Sequence, residues 1–217
     1  MNHHTPPDAL LFISPGCPHC PAVLQALGDM IKESLIGKMT VVNVAAHPEL
    51  AEKQGARAAP WLRLGPFILT GAYSAAELRL WAERAVSPDG AAHYVEHLLK
   101  QGGYRQAVVF IAEDTRRLKP LLAIITNPGA SLDIRLGVSA LLESYADMPE
   151  LRELLPQLAE LTRHTDHRVR ADACHLLGLT GSQAARTDVE LCRGDVHEEV
   201  RQIAEEAWEE LRENRLP

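Results

Sequence analysis

Cysteine is scarce in this 217-residue chain: there are four, two of them within one tetrapeptide, too few for the disulfide-stapled scaffolds of secreted domains. Long hydrophobic runs are missing too, and none approaches the roughly 18 residues that a membrane span requires. The start, Met1-Asn2-His3-His4-Thr5-Pro6-Pro7, lacks the basic segment and apolar stretch of a secretory signal. The chain as given therefore reads as cytoplasmic, with no membrane partner. A basic surplus is also absent. Lys and Arg number 22 against 29 Asp and Glu, a formal net charge of -7, whereas a phosphate backbone demands a basic surface, so no nucleic-acid partner is expected. The charge is uneven: residues 1–87 hold seven residues of each sign, so the whole excess belongs to residues 88–217.

What the chain does have is Ser14-Pro15-Gly16-Cys17-Pro18-His19-Cys20, placed after a short apolar run, Leu10 to Ile13, and before a helix-periodic segment. Two cysteines this close can form a ring only where the chain bends as in the first turn of a helix. Pro18, with its fixed φ and missing N–H, suits the first helical position, which makes Cys17 the expected N-cap. There its sulfur would face unpaired N–H groups and the positive end of the helix dipole, both favouring the thiolate, and a protonated His19 would add to this. Cys17 is then the expected nucleophile and Cys20, deeper and shielded, the thiol that resolves a mixed disulfide. No cofactor is needed beyond a redox-active Cys17–Cys20 disulfide. The alternatives are half of a zinc site, for which no second Cys-x-x-Cys or His pair stands nearby, and inert thiols.

Taken in order, the segment after Cys17 predicts a helix to about Leu35 with Val23, Leu24, Leu27 and Ile31 inward, ended by Gly37. Met39 to Ala45 reads as a strand, parallel to the first through a right-handed crossover. Pro48 to Gln54 reads as a short helix closed by Gly55. Residues 60–64 and 67–70 read as a hairpin around Gly65-Pro66, and Ser74 to Ala85 as a helix packing Leu78, Trp81 and Ala82 on the sheet. This βαβ-α-ββα order, with Cys-x-x-Cys after the first strand and Ala59-Pro60 before the third, resembles the thioredoxin superfamily over residues 8–87. The resemblance implies an α/β thioredoxin-like domain over 1–87. It also implies that Pro60 is cis and faces the cysteine pair, and that the backbone of Ala59 is free to bond a substrate strand, with Pro18, Ala59 and Pro60 as substrate-binding positions. Cys-Pro-His-Cys is similar to the motif of bacterial periplasmic disulfide oxidases, where the dipeptide stabilises the thiolate. The chain lacks their helical insertion, carries Gly16 where many thioredoxins have Trp, and shows no acid on its first strand, so oxidising and reducing directions both stay open.

Pro88-Asp89-Gly90 marks the expected boundary, after which the sequence is helix-periodic and repeats. Tyr104-Arg105, Ile134-Arg135, Val169-Arg170 and Val200-Arg201 lie 30, 35 and 31 residues apart. Apolar positions follow each at four, seven and eight residues: Val108, Ile111 and Ala112 in the first, Val138, Leu141 and Leu142 in the second, Ala173, Leu176 and Leu177 in the third, Ala204, Ala207 and Trp208 in the fourth. That set is one helix face. Partner helices are expected around Leu118 to Ile125, Leu151 to Leu161 and Gln183 to Cys192. Helix pairs at this period predict an α-solenoid over 88–217, with an irregular bundle as the alternative. Asp166, Val169 and Arg170 resemble the HEAT pattern, with Asp133 and Asp195 near equivalent places, which implies a HEAT-like repeat domain.

His93 and His97, four apart on one helix, are ordinary surface residues unless a third ligand joins them. His3-His4 reads as a mobile terminus. Cys174 and Cys192 read as buried free thiols, with a second redox pair as the minor alternative. The glutamates 198, 199, 205, 206, 209, 210 and 213 read as a solvated cap or a docking face for a basic partner. The leading expectation is a protein thiol–disulfide oxidoreductase whose repeats hold a protein substrate bearing a cysteine or disulfide. The competing ones are an interaction scaffold with a regulatory or vestigial first domain, and a metal-binding Cys-x-x-Cys protein.

Overall fold

The computed structural model describes residues 5–213; His3 and His4 lie outside them. The chain divides into two compact units, residues 1–94 and 95–217. The first is built on a mixed four-stranded sheet of order β2-β1-β3-β4. β1 (Ala9–Ile13) pairs in parallel with β2 (Met39–Asn43), Ala9 opposite Met39, and antiparallel with β3 (Trp61–Leu64), Phe12 opposite Trp61. β4 (Phe67–Thr70) closes the hairpin, Leu64 opposite Phe67, and Gly65 takes the positive φ of +54° that its two-residue turn needs.

Cross-strand partners share a face, so this register gathers Ala9, Leu11, Leu62, Leu64, Phe67 and Leu69 on one side of the sheet, all buried. α1 (Cys20–Lys32) and α3 (Ala75–Ala85) cover that side with Val23, Ala26, Leu27 and Met30, and with Leu78, Trp81 and Ala82. The inward stripe of α1 differs from the expected one: Leu24 and Ile31 are half-buried, and Ala26 and Met30 take their places. The end of α1 also differs. Ser34, at φ +59°, turns the chain left-handed; its N–H bonds Ile31 O (3.1 Å) and that of Leu35 bonds Met30 O (2.9 Å), the paired Schellman bonds that end a helix. A serine does here what the sequence assigns to Gly37. α3 opens with a reciprocal cap in which Ser74 Oγ accepts from Glu77 N and Glu77 Oε2 from Ser74 N (2.8 Å). The other side of the sheet carries a smaller cluster, Phe12 and Trp61 against Ala51 of α2 (Pro48–Lys53).

α4 (Gly90–Lys100) begins after Pro88-Asp89, and its first turns belong to the first unit. Tyr94 stacks on Phe67 (4.7 Å), meets Trp81 edge-on, and through its hydroxyl both accepts from Ile68 N and donates to Ile68 O. The outer edge of β4 is thereby blunted.

The second unit is helical. α5 (Tyr104–Glu113) and α6 (Leu118–Ile125) are followed by α7 (Leu132–Glu143), then by α8 (Pro149–Arg152) and α9 (Leu155–Leu161), where Pro156 stands in the first turn of the restarted helix. α10 (His167–Leu179), α11 (Arg186–Cys192) and α12 (Glu198–Glu213) complete it. α7, α10 and α12 bury the expected positions, Ile134, Val138, Leu141 and Leu142 in the first and their counterparts in the others, except that Trp208 is only half-buried. α5 does not. Tyr104, Val108 and Ala112 are exposed, and the buried set is Gly103, Ala107, Phe110 and Ile111, one residue earlier. A glycine at the first apolar position hides the true register. The glutamates of α12 from 198 to 210 named above are exposed.

Arg170 donates to the carbonyls of His164 (2.9 Å) and Thr165 (3.2 Å), and Arg201 donates to those of Asp195 (2.8 Å) and Val196 (3.1 Å). The equal offsets mean that each arginine ties down the loop entering its own helix. Arg170 also holds Asp195 through two bonds (2.7 and 2.8 Å), and Arg135 pairs with Asp172, so α10 is fastened on both sides. Asp166 instead caps α10, accepting from Arg168 N. No described helix is long and apolar enough to cross a membrane.

Candidate active site

β1 delivers the chain to a tight turn, Ser14-Pro15-Gly16-Cys17, closed by Cys17 N–H donating to Ser14 O (3.2 Å). Pro at the second position and Gly16 at φ +78° at the third are what a type II turn requires. No atom lies within 4 Å of a Cβ built on Gly16, so the glycine serves the backbone angle and not the space. The adjacent Pro15 and Gly16 are the sequence signal for this turn.

Cys17 and Cys20 are joined by a disulfide, their Cα atoms 5.5 Å apart. The helix does not begin where expected. α1 starts at Cys20 with His19 as N-cap and Pro21, not Pro18, in its first turn, so Cys17 lies two residues before the cap and Pro18 precedes the helix. The ring occupies the approach, and Pro21 is the proline whose missing N–H costs the helix nothing. The Cys17 sulfur nevertheless accepts from the backbone N–H of Cys20 (3.1 Å), a donor with no partner inside the helix. Cys17 is half-exposed while Cys20 is only 5% exposed, and Pro18 and His19 are open to solvent.

The Ala59-Pro60 peptide is cis. Trp61, next in the chain, pairs with Phe12, which sets buried Pro60 beside the end of β1 from which the Cys17 turn departs. Pro60 O accepts from Gly71 N (3.0 Å). Half-buried Ala59 makes no hydrogen bond through its N–H or C=O to any described residue, so both groups are available to an extended chain laid beside them. Phe12 and Trp61 (ring centroids 5.3 Å) support this end of the sheet from beneath. A hollow of about 240 Å³ lined by Asp8, Leu10, Lys38, Thr40 and Arg63 lies at the opposite end of the strands, away from the disulfide.

Among the described residues no three His, Cys, Asp or Glu side chains gather as metal ligands would. His93 is exposed, and His97 lies 3.2 Å from the Gln101 amide. Cys174 and Cys192 are free and buried. No protein-family model matches the chain, and no curated protein matches it.

Proposed function

We propose that the chain is a protein thiol–disulfide oxidoreductase: a thioredoxin-like domain carrying the Cys17–Cys20 couple, joined to HEAT-like repeats that hold its protein partner. The observation that carries this reading is the asymmetry of the disulfide, Cys17 half-exposed on the approach to a helix and Cys20 shielded, beside Ala59 with unused backbone groups.

In the oxidised form a substrate thiolate attacks Cys17 Sγ, the S–S bond breaks, and the electron pair leaves on Cys20. A second substrate thiolate then attacks the substrate sulfur of the mixed disulfide, releasing Cys17 as thiolate and the substrate as disulfide. Two electrons pass from substrate to the pair, and each cysteine later takes up a proton. The reverse sequence, with Cys17 thiolate attacking, reduces a disulfide. The Cys20 N–H points at the Cys17 sulfur, which bears negative charge as the leaving thiolate in the oxidising direction and as the attacking thiolate in the reducing one, and the helix terminus favours that charge. Ala59 N–H and C=O bond the substrate backbone, and Pro18 shapes the exposed rim. His19, when protonated, stabilises the same thiolate. We place this chemistry in the cytoplasm, in keeping with the sparse cysteine content.

The excess of seven negative charges outside residues 1–87 favours a partner segment bearing Lys or Arg. Holding such a partner raises the effective concentration of its cysteine at Cys17. The test is capture. The Cys20→Ser chain, which cannot resolve, should accumulate mixed disulfides through Cys17 and release them with dithiothreitol, whereas Cys17→Ser should accumulate none. Equal capture by both variants would overturn the reading in favour of a scaffold with an idle cysteine pair.

A further inference from the structure

Cys174 and Cys192, 18 residues apart in sequence, are both buried, at 0% and 3% exposure, and neither takes part in the chemistry above. Their placement follows from the ion pair that joins the same two segments. Arg170 lies one turn before Cys174 on α10, and Asp195 lies one turn after Cys192, its N–H bonded to Cys192 O (3.0 Å). Arg170 grips Asp195 through both carboxylate oxygens, each side chain 11% exposed. Fixing residues one turn from each cysteine draws the two thiols together in the α10–α11 interface. Each thiol feels the other: the Cys192 neighbour pushes the Cys174 thiol up, with burial adding to this, and the Cys174 neighbour pulls Cys192 down. Cys192 is therefore the better nucleophile, and it closes a seven-residue helix whose preceding residue, Leu191, is 59% exposed.

We propose that Cys174 and Cys192 form a second redox site, a dithiol that is oxidised by low-molecular-weight disulfides of the glutathione class to a disulfide bridging α10 and α11. Cys192 thiolate attacks the disulfide RSSR and forms Cys192–S–SR, expelling RS⁻. Cys174, on losing its proton, attacks the Cys192 sulfur, closing the protein disulfide and expelling the second RS⁻. Two protein thiols are oxidised, one RSSR becomes two RSH, and the two protons of the cysteines end on the two leaving thiolates. The bridge locks the short helix α11 onto α10, so the helical unit registers the disulfide level around it independently of the Cys17–Cys20 pair.

The test uses the full chain, reduced, freed of reductant and exposed to oxidised glutathione in native buffer, then quenched in acid, alkylated and cut with trypsin. Cleavage after Lys32, Arg170, Arg186 and Arg193 leaves Cys17 and Cys20 together in peptide 1–32, Cys174 in 171–186 and Cys192 in 187–193. The expected product is 171–186 linked to 187–193. Recovery of the two peptides alkylated, each carrying glutathione, or linked to peptide 1–32 would overturn the proposal. The readout is indifferent to whether Cys17 and Cys20 catalyse anything, so it stands or falls apart from the function proposed above.

Discussion

Each unit carries two cysteines, and the settings are opposite. In the first, the pair brackets the start of α1 at the end of a sheet, with Cys17 half-exposed and its sulfur on a helix donor. In the second, the pair is buried in a helix–helix interface beside an ion pair that is itself nearly out of solvent. Exposed ion pairs, worth little, occur in both units, as in Lys32–Asp29 and Arg79–Glu33 of the first and Arg116–Asp114 and Arg212–Glu209 of the second, but the second also has the more shielded pairs Arg135–Asp172 and Arg170–Asp195. The two settings differ in access and local dipoles, not in residue type. The sheet unit fixes its long-range order by strand register and keeps its polar chemistry outside, while the helical unit fixes its order partly through polar contacts.

The sharpest break in the comparison is Cys17→Ser, which should drop disulfide exchange to the uncatalysed rate while leaving the thermal unfolding of residues 95–217 unchanged; exchange at the native rate would overturn the assignment of Cys17 as the exchanging sulfur. Next is Arg170→Met. It leaves Asp195 shielded and unpaired, and should cost about 3 kcal/mol in urea unfolding of the helical unit with no effect on exchange.

Acid acts on the same contact. The Arg170 guanidinium holds the Asp195 carboxyl down to about 2, from an ordinary 3.8. A depressed carboxylate stabilises the fold fully above its unfolded pKa and loses that as pH falls through the folded one. Asp195 should therefore contribute about 2 kcal/mol at pH 6 that fades between pH 5 and 2. Asp172, raised by burial despite Arg135, works in the opposite sense, so the measurement is the difference in acid unfolding between the native chain and Asp195→Asn.

In the first unit, His19→Ala should move the couple toward more reducing potentials by roughly 30 mV if about 1.4 kcal/mol of thiolate stabilisation is lost; an unchanged potential would assign the effect to the helix terminus alone. Smallest is Tyr94→Phe, which removes the hydroxyl between Ile68 N and O and should cost about 1 kcal/mol, read in the unfolding of the sheet.

The strands, α2 and α3 were legible because a β-type run or a helical period is a local property of the sequence. What was not legible depended on backbone angles or distant contacts. Ser34 ends α1 by adopting a left-handed angle that glycine reaches at lower cost, and the disulfide ring displaces the helix start past Cys17. Gly103 occupies a buried position with no side chain to mark it, so the inward face of α5 lies one residue before the one its apolar pattern indicates. Tyr94 lies beyond Pro88-Asp89-Gly90, yet its ring and hydroxyl are committed to Phe67 and Ile68; a chain cut after Ser87 would lose both contacts. The motif, Ala59, Pro60 and the shielding of Cys20 relative to Cys17 follow from the local pattern, whereas the place of the helix start, at Cys20 and not Pro18, does not.

The most direct measurement is a redox titration of the full chain in glutathione buffers, with acid quenching, alkylation and counting of labels on peptide 1–32. A working couple should open and close reversibly as a two-electron pair with a midpoint between roughly -120 and -270 mV, the range of disulfide-exchange catalysts. A Cys17–Cys20 disulfide still closed below roughly -300 mV, as structural disulfides are, would contradict the account.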